Sequence, residues 1–150
     1  MVKRYLISLP NGQVSVCNPI EGLEQECLDK VLASYEAEFG VAVTAIECPI
    51  VDLAPIRVFR SAWKVEAGVV DVDMPKARGI QMDKIREVRN KELAKKDIEF
   101  MRAIEDGDTD VQATIKAKKQ ELRDIPQTFD LTTDTPEELK AKWPEGLPKE

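Results

Sequence analysis

Residues 73 to 126 read as two helices folded back on each other, and this stretch limits what the rest of the chain can build. Asp73-Met74-Pro75 opens the first helix: an Asp can cap free backbone N–H groups, and a first-turn Pro has no N–H to lose. The turn is Glu105-Asp106-Gly107-Asp108-Thr109. Gly107 supplies the left-handed residue that ends a helix, and Asp108 or Thr109 can cap the next one, with Gln112 as the capping-box partner of Thr109. The expected product is a short-turned antiparallel helical hairpin.

Its apolar positions say where contacts fall. In the second helix Val111, Ile115, Leu122 and Ile125 hold one narrow seam, with Lys118 in the missing seam position. A lysine stem covers apolar surface while its ammonium reaches water, so the seam is expected to be partly exposed or covered by a partner. In the longer helix Ala77, Ile80, Ile85 and Val88 share one side, and Leu93, Phe100 and Ile104 share another, rotated by about a third of a turn or more at roughly 100° per residue. One face cannot satisfy both groups. Between Lys76 and Asp124 there are 13 basic and 11 acidic residues, against 9 and 17 elsewhere, so the hairpin is zwitterionic.

The segment before the hairpin predicts a small ββαβ unit. Tyr5–Leu9 and Gln13–Cys17 flank Pro10-Asn11-Gly12, and Asn-Gly signals a β-hairpin because both residues accept positive φ. Leu28, Leu32, Tyr35 and Phe39 recur at helical spacing up to the stop at Gly40, and Val41–Ile46 is β-prone. Cys48–Pro55 is a proline-containing connector, and Val69–Asp73 alternates like a short strand. After Pro126, Thr135-Pro136-Glu137-Glu138 is a complete helix start and Trp143-Pro144 a stop, so Phe129, Leu131, Leu139 and Trp143 are expected to pin the tail to the hairpin or to a neighbouring chain. The expected class is α+β: a small α+β domain over 1–72, the helical hairpin over 73–126, and a tail with a short helix over 127–150.

Chemistry is harder to find. The chain has no His, and no nucleophile elbow, phosphate-cradling Gly loop or dinucleotide fingerprint, so no catalytic residue is assigned and a non-enzymatic protein is expected. Cys17, Cys27 and Cys48 lack a C-x-x-C pair and read as small buried thiols made in a reducing compartment. Asp106, Asp108 and Asp110 alternate as in a calcium loop, but Val111 and Ala117 stand where a Gly and a bidentate Glu are required, so the turn reads as caps. Asp71 and Asp73 read as a solvated face and a cap. Neither a metal nor a cofactor is implied. A net charge of −6 and scattered helix charges argue against nucleic acid and anionic membrane as partners, and no run is long and apolar enough for a signal peptide or a membrane span. Arg57, Arg60, Trp63 and Lys64 have the composition of an interface hot spot, while Phe59 and Trp63, four apart, read first as ordinary core and second as part of that surface.

Across about the last 90 residues the chain resembles the tail-assembly chaperones, or tail-fibre-assembly proteins, of tailed bacteriophages. The residues that carry the likeness are Phe59-Arg60-Ser61-Ala62-Trp63, Asp83-Lys84-Ile85-Arg86 with Arg89, Leu93 and Asp97, Lys119 to Pro126, and Thr135 to Lys140 ending in Trp143-Pro144. Those relatives often carry a Trp directly after the position matching Asp97, where this chain has Ile98. The resemblance implies an accessory protein that binds phage tail or other virion proteins, by self-association or hetero-assembly. It would be made in the host cytoplasm and retained in the virion as a structural component. Two alternatives stand beside that expectation: a chaperone released after fibre assembly, and a regulatory module for a host protein or nucleic acid. The residues expected to bind protein are Phe59, Arg60, Trp63, Val111, Ile115, Lys118, Leu122 and Trp143.

Overall fold

The structure is a computed structural model that describes residues 3–48, 53 and 56–149. Apart from Leu53, the connector expected over 49–55 lies outside the described residues. The fold is α+β, and the chain divides into two compact units, Met1–Ala77 and Arg78–Glu150. The division falls inside the first helix of the hairpin, a few residues beyond the boundary expected at 72/73. Asp73 explains part of this, because its N–H donates to the Ala62 carbonyl of the first unit.

In the first unit β1 (Arg4–Ser8), β2 (Val14–Cys17) and β3 (Thr44–Cys48) form an antiparallel sheet of order β2-β1-β3. Alternation sorts the side chains. Tyr5, Ile7 and Cys17 are buried on one face with Val43, against Leu28 of α1 (Glu24–Phe39) and its half-buried Val31, Leu32 and Tyr35. Tyr35 also shares a 2.8 Å hydrogen bond with the Ser15 hydroxyl. On the opposite face Leu6 stands between Val16 and Ile46 and is 1% exposed. A 3-10 segment (Arg57–Ala62) leads into β4 (Trp63–Glu66), which lies against β1 and β2, and β4 pairs with β5 (Val69–Val72).

Three details depart from the sequence reading. The first hairpin forms, but Asn11 does not take positive φ; only Gly12 does, at +80°. Pro10 fixes a negative φ at the start of the turn, which makes it type I, closed by Gly12 N–H to the Leu9 carbonyl at 2.9 Å. The third strand begins at Thr44 rather than Val41, because Gly40 ends α1 in the left-handed conformation and residues 41–43 carry the chain back to the sheet. The 3-10 segment carries no periodic apolar pattern, and β4 alternates over only the four residues Trp63-Lys64-Val65-Glu66; neither is among the expected elements.

The second unit holds most of α2 (Met74–Glu105), all of α3 (Thr109–Thr128) and α4 (Pro136–Ala141). The Asp73 carboxylate accepts from the Lys76 N–H at 3.1 Å as the cap of α2. At the turn Gly107 has φ +68°, its N–H donates to the Ile104 carbonyl, and the Asp108 N–H reaches back to Ala103, so the last carbonyls of α2 are satisfied. Asp108 caps α3 by accepting from the Val111 N–H at 3.0 Å. Gln112 is not a capping-box partner: its amide instead crosses to the Ala103 carbonyl at 3.0 Å. With Lys119 of α3 paired to Asp97 of α2, this fixes an antiparallel hairpin.

The second helix does not stop at Pro126. It continues to Thr128, because the proline forfeits one bond while the Phe129 N–H and the Thr128 hydroxyl still satisfy the carbonyls of Ile125 and Asp124. Thr135 caps α4 as expected, accepting from the Glu138 N–H at 3.3 Å. The tail folds onto its own unit. Arg78 donates to the Thr133 carbonyl and the buried Gln81 to that of Lys142, and Leu131, Leu139 and Leu147 are buried.

Candidate protein-binding surface

Every buried position of α2 falls on one stripe: Ala77, Gln81, Ile85, Val88 and Ala103. At roughly 100° per residue these lie within about 100° of one another. The stripe resolves the conflict between the two apolar groups. It follows the first group toward the turn, but there its inward positions are the half-buried Glu92 and Lys96 and the small Ala103. Ile104 of the second group is left outside.

The consequence is an exposed apolar row near the turn. Ile98, Met101 and Ile104, three residues apart, are 56%, 57% and 47% exposed, and Val111 on α3 is 44% exposed. Asp97 stands beside the row and pairs with Lys119, which lies 5.2 Å from the centre of the Phe100 ring; the Lys95–Glu92 and Lys96–Glu99 pairs fall toward the inward stripe. An exposed row of this kind is costly to solvate.

The residues expected to bind protein separate into two sets. Phe59 is fully buried, Trp63 is 5% exposed and Ile115 is 7% exposed, so these three are core and not surface, which corrects the expectation placed on them. Trp63 goes inside with β4, which lies against β1 and β2, and Ile115 is the one position of the second helix's seam that is buried. Val111, Lys118 and Arg60 are exposed; Lys118 is held by Glu121 at 3.0 Å. Leu122 and Trp143 are half-buried. The Trp143 indole N–H is committed to the Leu147 and Pro148 carbonyls, where it closes the tail turn.

Ile98 and Met101 were missed because neither belongs to the helical period of the large apolar residues around them. The signal that finds them is Gln81: counting Gln81, Lys96 and Ala103 as inward turns Ile98 and Met101 outward.

The remaining polar candidates have structural employment. Asp71 pairs with Lys64 at 3.2 Å, and the Val72 N–H, followed by that lysine, holds its carboxyl below the usual carboxylate range. Burial pushes the Cys17 and Cys48 thiols up. Among the described residues no three His, Cys, Asp or Glu side chains are placed to hold a metal ion, and no helix is long and apolar enough to cross a membrane. Comparison with protein families, curated proteins and solved structures finds no match to this chain.

Proposed function

We propose that this chain is a non-enzymatic accessory protein of a tailed bacteriophage. It binds another virion protein through the Ile98–Met101–Ile104 row with Val111, and it stays in the particle as a structural component. The observation that carries the reading is the exposed row on α2, beside the resemblance of the hairpin and tail to phage tail-assembly proteins. Each of these half-exposed side chains would contribute roughly 1 kcal/mol on full burial, the scale at which a few anchors sustain an interface. The flanking ion pairs would set register more than affinity.

Mass spectrometry of purified particles tests retention: a stoichiometric amount of the chain supports it. Absence from the particle, with fibre defects in a deletion, would move the function to the chaperone alternative. The row is tested by Ile98→Asn, Met101→Gln and Ile104→Asn together. The substituted chain should melt as the parent does and fail to enter particles; normal incorporation would remove the row from the mechanism.

A further inference from the structure

The first unit carries seven basic and eleven acidic residues, and its only three arginines are Arg4, Arg57 and Arg60. All three line one surface pocket of about 340 Å³, with Asn18, Val16 and Trp63. No carboxylate lines it among the described residues. Arg57 and Arg60, exposed and three residues apart, have no ion pair or side-chain hydrogen bond among the described residues.

Buried contacts anchor the frame beneath them. The segment is kinked at Phe59, where φ is −104° and ψ 28°, with Arg57 before the kink and Arg60 after it, and the fully buried Phe59 side chain fixes it to the core. The Trp63 indole N–H donates to the Ile56 carbonyl at 3.1 Å, tying down the residue just before Arg57. Across the pocket the Arg4 Nε–H donates to the Asn18 side-chain carbonyl at 2.9 Å, which orients its guanidinium from the sheet. The backbone is held in advance, so the ordering left for a ligand to impose is that of the Arg57 and Arg60 side chains.

We infer that this pocket binds the phosphate group of a small phosphate monoester. Three guanidiniums lining one space suit a group of charge near −2 with three terminal oxygens better than a singly charged carboxylate, and the planar forks of Arg57 and Arg60 can each donate two parallel bonds to it. The volume is at the lower end of small-molecule sites, enough for the phosphate and a compact substituent against Trp63 and Val16. The site lies in the first unit, apart from the residues of the α2 row, and stands or falls independently of the particle role.

Trp63 is the reporter. In a Trp143→Phe chain it is the only indole, and its emission is followed while inorganic phosphate, a nucleoside monophosphate or glutarate is added at constant ionic strength; calorimetry on the unsubstituted chain repeats each titration. A saturable response to the monophosphate is expected, with glutarate weaker by about tenfold or more. Arg57→Ala with Arg60→Ala should weaken the monophosphate by at least about tenfold without moving the melting temperature. The paired Lys substitutions should recover only part of the loss, since charge returns without the fork. Phosphate binding as tightly as the monoester would support the oxyanion site and assign free phosphate as its ligand. Three results would overturn the inference: no saturable response to either phosphate compound, glutarate binding equally well, or binding unchanged by the paired Ala substitutions.

Discussion

Two β-turns show how single residues decide local geometry here. The Asn11-Gly12 pair, with the composition of a two-residue turn, sits in a type I turn because Pro10 precedes it. The two-residue turn falls at Ala67-Gly68, between the paired Glu66 and Val69, where φ is +51° and +76°. Ala67 is the only non-glycine residue with positive φ among the described residues, and its Cβ is crowded there by the following carbonyl. Asn tolerates that conformation, so Ala67→Asn is expected to stabilise the first unit by about 0.5–1 kcal/mol. Urea unfolding followed by Trp63 emission checks it: the midpoint should rise with the slope unchanged. A lower midpoint would mean that the turn carries no strain for Asn to relieve.

Among the elements, legibility followed how local the governing contacts are. The cap of α2 at Asp73, the stop at Gly107 and the Thr135 start of α4 depend on residues within a turn of each other, and each could be read directly. The face of α2 could not. Its inward stripe is decided by what folds over it from far along the chain, and the key residue is polar. Gln81 is 3% exposed because its amide reaches the Lys142 carbonyl at 3.0 Å, sixty-one positions away. The 3-10 segment was equally hidden, since Trp63 at its end goes inside with β4, which lies against the distant β1 and β2. In the candidate surface, Val111 and Lys118 were found from helix spacing, whereas Ile98 and Met101 needed the tail's anchor on Gln81. That anchor is testable. Gln81→Leu keeps the volume but leaves the Lys142 carbonyl without its donor, and should cost about 1–2 kcal/mol. Amide hydrogen exchange should quicken across residues 131–147 and stay unchanged in β1 to β3. Unchanged exchange in the tail would mean that its buried leucines hold it without the glutamine.

At the scale of the molecule, the division at Ala77/Arg78 gives each unit its own buried interior and, by chance of sequence, one tryptophan: Trp63 in the first and Trp143 in the second. One continuous helix, α2, crosses the division. Helical hydrogen bonds run only four residues along the chain, so a helix by itself transmits little cooperativity once the side chains on one part have lost their packing. The two units are therefore expected to unfold as separate cooperative steps. Trp63→Phe and Trp143→Phe chains isolate the two signals, and their urea midpoints should not coincide. Gln81→Leu supplies the control, because it acts inside the second unit: it should lower the midpoint seen by Trp143 and leave that seen by Trp63 in place. Coincident transitions that shift together would show that α2 couples the two interiors into one cooperative step.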